Sequence, residues 1–392
     1  MSRIASYAMF FSLVLTVMLG LHFYFWVRFV RDTGLSGNAR LAATIVLVFL
    51  AVSMPASMAL SHVLPLGTSR VALAMPYFWM GMALLLFFLL LGVDALRCLA
   101  WIGARLAGRP GLWPDPATKL LASRIVAMGT LSAAVGMCAY GTWNALKPPA
   151  VRRVTVELAK LPAEARGFTI AILSDLHLGP NRGREWTADV VRRTNALKPD
   201  LVAVLGDIPD GSVELLGDAA LPLAGLRAEQ GVFFVTGNHE YYSGLEEWLS
   251  FVRKLGMRVL VNERVAIGKG LFDLVGLPDP HIERSEGAPR PDLDKALAGR
   301  DLSREMILLA HQPRAFDDAV RLGVGLQLSG HTHGGQFWPW KYLVRLQQPF
   351  ISGLHREGAS QIYVTEGTGL WGPLMRIGTS SEITLVTLVP TS

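Results

Sequence analysis

The residues best suited to chemistry form the run Gly330-His331-Thr332-His333-Gly334-Gly335-Gln336, where two imidazoles stand two residues apart between glycines. Such a pair fits a metal site at a loop tip. The chain upstream supplies matching donors: Asp175-Leu176-His177, Gly206-Asp207-Ile208-Pro209-Asp210, Gly237-Asn238-His239-Glu240 and Ala310-His311-Gln312-Pro313. Carboxylate, imidazole and amide oxygen together suit divalent transition ions, and no cysteine competes in these motifs. One carboxylate can bridge two cations and hold them about 3.5–4 Å apart; such a pair binds a phosphate ester, lowers the pKa of a bridging water and stabilises charge in the transition state. Any one motif is weak. Five in this order read as a two-metal hydrolase centre.

The elements that must position these residues are short apolar runs, each ending in a polar motif. Residues 168–173 run into Ser174-Asp175, 201–205 into Gly206-Asp207, and 232–235 into Thr236-Gly237-Asn238. Residues 306–310 run into His311, and 324–328 into Ser329-Gly330-His331. Each run has the length of a buried strand, and helix-like stretches such as 186–197 and 245–255 separate several of them. This is an α/β pattern with its chemistry at strand ends, where open α/β sheets commonly bind ligands.

Composition divides the 392 residues in two. Residues 1–149 hold 11 Lys and Arg against 3 Asp and Glu, a net of +8; the remainder holds 26 against 28, a net of −2. The basic character therefore belongs to the apolar half, and a nucleic-acid role for the near-neutral second half loses its support. Four apolar runs, at about 4–27, 40–64, 71–96 and 123–146, each reach the roughly 20 residues needed to cross a hydrocarbon core. Pro55 and Pro76 are costly inside a soluble helix but tolerated in a membrane bundle. Cys98 and Cys138 lie in or beside these runs, where packing is the plain role for each.

Loop charge sets an orientation. Segments 28–40 and 97–124, which share one face, carry Arg28, Arg31, Arg40, Arg97, Arg105, Arg109, Lys119 and Arg124, against Arg3 and Arg70 in the short segments of the other, where Lys147, Arg152 and Arg153 also flank the last run. The positive-inside bias puts the first face in the cytoplasm and everything after residue 147 outside. Segment 97–124, with Trp101 and Trp113, reads either as an interfacial stretch or as an ordinary connection. Lys147-Pro-Pro-Ala150 marks the boundary, giving a transmembrane region at 1–149 and a catalytic domain at 150–392.

On the ordered motifs D-x-H, GD-x-x-D, GNH-E, H-x-P and GH-x-H, residues 165–390 resemble the calcineurin-like metallophosphoesterases. The Gly-Gly-Gln after His333, Tyr241-Tyr242, and the tail 362–371 with 382–385 are similar to its small bacterial membrane-associated or secreted branch; the apolar half resembles transmembrane proteins carrying such a domain. The resemblance implies a four-layer α/β/β/α sandwich holding two divalent ions (Mn, Fe or Zn). It implies that Asp175, His177 and His333 bind the first metal, that Asn238, His311 and His331 bind the second, and that Asp207 bridges. His239 is then no ligand but faces the phosphate and protonates the leaving oxygen. Asp210 and Glu240 orient the ligands or His239. Arg182, just beyond the first motif, is a candidate contact to substrate phosphate, although such a loop arginine is more ordinarily solvated.

The expectation is a multi-pass enzyme of a bacterial inner or cell membrane, with an extracytoplasmic catalytic domain. It hydrolyses phosphomonoesters or phosphodiesters with a hydroxide bridging two metals, on lipid, lipid-linked or other envelope substrates. One rival is a pyrophosphatase acting on a nucleotide-diphosphate lipid precursor, which needs a cytoplasmic site. The other is a receptor or scaffold of metallophosphoesterase shape without activity, whose mark would be degraded ligands.

Overall fold

The computed structural model describes residues 3–60, 66–108, 115–280 and 289–391. The chain divides into two compact units, up to Tyr140 and from Gly141 onward.

The first unit is built from α1 (Arg3–Trp26) with a π-helical turn after it (Val27–Arg31), α2 (Gly37–Leu60), α3 (Leu66–Leu106) and α4 (Pro116–Ala145), whose last turn belongs to the second unit. All four helices are long and apolar enough to cross a membrane. Leu13, Val46, Phe49, Leu121 and Ile125 are each more than half exposed, as lipid-facing side chains must be. Polar partners gather at one end: Arg28 donates to Asp94 at 2.6 Å and to Asp32 at 2.8 Å, and Arg124 Nε donates to the Thr33 carbonyl at 2.9 Å.

Two of these helices are longer than the hydropathy runs. α3 continues to Leu106, because nothing in 97–106 breaks a helix and Arg105 lies over the Trp101 ring, at 5.0 Å. α4 begins at Pro116, where Asp115 caps it by accepting from the amides of Ala117 and Thr118 at 2.9 and 3.1 Å. Most of segment 97–124 is therefore helical, and Trp101 belongs to α3; Trp113 lies outside the described residues.

The second unit carries two six-stranded sheets. In chain order the strands are β1 (Ala150–Leu158), β2 (Thr169–Leu173), β3 (Leu201–Val204), β4 (Val232–Phe234), β5 (Arg258–Val259), β6 (Glu263–Ile267), β7 (Phe272–Gly276), β8 (Glu305–Leu309), β9 (Leu326–Ser329), β10 (Gly353–Glu357), β11 (Ser360–Val364) and β12 (Glu382–Pro390). The helices are α5 (Arg184–Ala196), α6 (Val213–Ala220), α7 (Asn238–Tyr242), α8 (Leu245–Lys254), α9 (Leu293–Leu297), α10 (Phe316–Arg321) and α11 (Lys341–Val344). One sheet has the order β1-β12-β2-β3-β4-β5 and the other β10-β11-β9-β8-β7-β6.

The sheets face each other across one core, in which Ile170, Ile172, Ala203 and Phe233 meet Leu274, Ile307, Leu309, Leu328 and Tyr363. On the second sheet's other face, Val275, Met306, Leu308 and Ile362 pack with Leu293 and Phe316 from α9 and α10. The first sheet's other face (Ala171, Val202, Val204, Phe234) is buried as well, and α5, α6 and α8 each bury an apolar stripe. Strands buried on both faces explain the unbroken apolar runs in the sequence. The result is the four-layer α/β/β/α sandwich. The parallel neighbours β2, β3 and β4 end side by side, as do β8 and β9, so all five motif loops leave the strands at one edge.

Candidate metal centre

Three of the five motif loops turn sharply at the residue that carries the donor. Asp175, His177, Asp207, His331 and His333 all have positive φ, from 45° to 69°, a left-handed backbone that costs a non-glycine residue about 1–3 kcal/mol. Five such residues in one cluster are held there only because the surrounding loops interlock. Gly206 and Gly237 make that possible: a Cβ on Gly206 would collide with the backbone of Gly237, and one on Gly237 would collide with Asp207 Oδ1. Two loops separated by thirty residues of chain thus touch backbone to backbone.

The donors converge in two groups. In the first, His333 Nε2 lies 3.1 Å from His177 Nε2 and 3.6 Å from Asp175 Oδ1. In the second, His311 Nε2 lies 3.2 Å from both Asp207 Oδ2 and His331 Nδ1. Asp207, a member of the second group, also faces the first, its Oδ2 lying 3.7 Å from His177 Nε2. Asn238 sits at the first residue of α7, buried, and its Oδ1 has no hydrogen-bond partner.

The chemistry of this donor set fits cations. His177 Nδ1 donates to Asp210 Oδ1 at 2.7 Å, and His311 Nδ1 donates to the Leu205 carbonyl at 2.6 Å. In the neutral rings both Nε2 lone pairs therefore point inward, one at another imidazole nitrogen and one at a carboxylate oxygen. Without a positive charge between them these atoms repel. Burial disfavours protonation of His311, yet Asp207 outweighs it and lifts the His311 pKa well above its ordinary value. The field that would draw a proton there is the field that holds a metal. Burial, reinforced by charge on His311, pushes His331 down to about 3, and burial with His177 and Arg376 holds His333 well below the ordinary histidine range. Both rings are held neutral, the form that ligates. The centre thus has the donors for two divalent ions.

A third group, His177, Asp210 and His239, is closed by hydrogen bonds. The single oxygen Asp210 Oδ1 accepts from both Nδ1 atoms, at 2.7 Å from His177 and 2.8 Å from His239, and the rings stand at 90° with centroids 4.5 Å apart. Glu240 is buried and accepts from three amides: Asp207 N at 3.0 Å, Ile208 N at 2.8 Å and Gly237 N at 2.7 Å. It fixes the backbone of the two interlocked loops.

Three parts of the site had no legible signal in the sequence. Ser174 Oγ donates to Asp175 Oδ2 at 2.6 Å, and the Leu205 carbonyl sets the tautomer of His311. Arg376, fully buried, donates to the carbonyls of His333, Glu366 and Gly369 at 3.3, 2.7 and 2.6 Å, tying the last histidine loop to the tail. The last two depend on backbone oxygens that only the fold brings into reach. Arg182 also departs from the solvated loop residue its surroundings imply: it is only 4% exposed, lies over Trp186 at 4.8 Å, and its Nε and Nη1 have no hydrogen-bond partner.

A buried α/β sandwich with paired Asp/His clusters at one sheet edge defines a binuclear metallohydrolase. Residues 168–335 match the calcineurin-like phosphoesterases, and the chain belongs to that family. A transmembrane protein with metallophosphoesterase domain from Danio rerio is 38% identical over 263 residues, covering 64% of this chain and 60% of its own length. An uncharacterized metallophosphoesterase of Helicobacter pylori (strain J99 / ATCC 700824) is 37% identical over 265 residues, 67% of this chain and 70% of that protein. One of Bacillus subtilis (strain 168) is 30% identical over 279 residues, 68% and 94% respectively. The chain is thus a metallophosphoesterase joined to membrane-spanning helices, with relatives in bacteria and vertebrates.

Proposed function

We propose that the protein hydrolyses phosphomonoesters or phosphodiesters of lipid or lipid-linked compounds at a membrane surface. The observation that carries this reading is the facing of His177 on His333 at 3.1 Å and of His311 on Asp207 at 3.2 Å, donors that need cations between them. Asp175, His177 and His333 would hold one ion, Asn238, His311 and His331 the other, and Asp207 both. When bound, two such ions supply Lewis acidity toward phosphate oxygens and acidify the attacking water.

The remaining steps fall to side chains. His239 is partly open, 17% exposed against 10% for His333, 1% for His177 and none for His311. Its Nδ1 is engaged by Asp210, so its Nε2 is left for substrate. Burial opposes protonation, but Asp207 and Asp210 raise its pKa to about 9, favouring the imidazolium that donates a proton to the leaving oxygen. Burial and the charge of Arg376 lower Arg182 to about 9, so it remains a cation able to take a substrate oxygen.

The test is turnover by the full chain in detergent with added Mn. Hydrolysis of bis(p-nitrophenyl) phosphate or p-nitrophenyl phosphate should vanish on chelation and return with metal. No turnover with Mn, Fe or Zn would sink the enzyme reading in favour of a scaffold. Arg182→Ala should raise KM about tenfold or more with kcat little changed, the loss expected for one charge-assisted hydrogen bond; an unchanged KM removes it from the substrate site.

The same reading places the catalytic unit outside the cytoplasm. It is supported by the eight-to-two charge bias and by Arg28, Asp94, Arg124 and Thr33 meeting at one end of the first unit. A C-terminal reporter active only outside the cytoplasm should give signal; a silent reporter beside an active cytoplasmic one reverses the orientation and revives the nucleotide-diphosphate substrate.

A further inference from the structure

The segment after the last histidine motif has a surface that the metal centre does not use. Residues 337–346 read Phe-Trp-Pro-Trp-Lys-Tyr-Leu-Val-Arg-Leu, with two basic residues and no acidic one. The helix within it, α11, buries no residue. Trp338, Trp340, Tyr342 and Leu343 are 36–53% exposed, and Leu346 is 81% exposed. Large apolar side chains left outside in one stretch mark an interaction surface. Trp and Tyr interspersed with Lys and Arg are the composition of a membrane interface.

The neighbours of this segment say what covers it. Trp338 N donates to the Ile377 carbonyl at 3.0 Å. Next to it, Arg376 N donates to the Gly141 carbonyl at 2.9 Å, and Asn144 Nδ2 donates to the carbonyls of Arg376 and Thr379 at 3.2 and 2.9 Å. Gly141 packs so closely that a Cβ there would lie 2.9 Å from Ile377 Cγ1. Gly141 and Asn144 form the last turn of α4, a helix apolar and long enough to span a bilayer. Just past them Lys147 Nζ lies 3.5 Å from the Trp143 ring centroid, an interfacial pair of residue types. Residues 337–346 are thus tied, within the second unit, to the last turn of α4. The patch is also continuous with the metal centre, because Gly335 sits directly against the backbone of Lys341.

We propose that residues 337–346 dip into the bilayer interface. Trp338, Trp340, Tyr342 and Leu346 lie among headgroups and upper acyl chains, and Lys341 and Arg345 meet anionic headgroup phosphates. The surface goes beyond anchoring: it brings the loop carrying His331 and His333 to the level of lipid phosphates, so a lipid ester need not leave the bilayer to be hydrolysed.

The test uses the full chain, with Cys98→Ser and Cys138→Ala, in vesicles of phosphatidylethanolamine and phosphatidylglycerol. A fluorophore on Leu346→Cys should be quenched by lipids brominated on their acyl chains, while one on Arg192→Cys, exposed on the charged helix α5, should not. Equal quenching at both positions, or none at 346, overturns the proposal. So does concentration-dependent shielding of the 346 label in lipid-free amphipol, which would make a second copy the occupant. In a second arm, Leu346→Glu should lower hydrolysis of vesicle-borne phosphatidate about tenfold, the effect of a charge forced toward the interface, with p-nitrophenyl ester turnover changed about twofold or less. Equal loss on both substrates argues against the surface. This arm rests on the phosphoesterase reading; quenching does not, so failure of one is distinguishable from failure of the other.

Discussion

Asp207→Asn is expected to cost the protein both metals and to lower turnover by about three orders of magnitude or more. The substitution keeps size and removes charge from the one carboxylate that faces both donor groups, with Oδ2 3.2 Å from His311 Nε2 and 3.7 Å from His177 Nε2. Its other oxygen accepts from the His239 amide at 2.8 Å, so the side chain is anchored and cannot swing away to be replaced by a neighbour. An amide there could turn its NH2 toward the His311 lone pair and fill the space a cation needs. Loss of the charge also removes the largest influence raising the His311 pKa. Elemental analysis of the purified variant decides the matter: well below two metals per chain is expected, and two tightly retained metals would refute the bridging role.

His239→Ala should do the opposite to metal and much the same to rate. Metal content stays near two per chain, while kcat falls about 10²- to 10⁴-fold on esters with poor leaving groups. The geometry sets His239 apart: its Nδ1 is held by Asp210 at 2.8 Å, and the one donor group it joins, with His177 and Asp210, is closed by hydrogen bonds. Since a proton matters most when the leaving oxygen is basic, the deficit should shrink on p-nitrophenyl esters relative to alkyl esters. An equal deficit on both would make His239 a positioning residue, and loss of metal would make it a ligand.

Distance along the chain decides which features a sequence makes legible. The motifs were legible because each packs a strand end, a sharp turn and a donor into three to six consecutive residues, and strands buried on both faces leave unbroken apolar runs. The membrane helices were legible for a similar reason, though their ends were not. α3 reaches Leu106 and α4 starts at Pro116, because helix continuation and the Asp115 cap are invisible to a hydropathy run.

Sequence alone determined which side chains can bind metal, the order in which strands present them, and the apolar spans that go with them. Those are properties of residue type and short-range spacing. Only the tertiary structure decided how the donors are shared and aimed. It put one Asp210 oxygen on both His177 and His239, and the Leu205 carbonyl behind His311. It buried Arg182 and left Trp340 and Leu346 outside. Burial, tautomer and pKa depend on neighbours brought from dozens or hundreds of residues away, and no local pattern encodes which neighbours those will be.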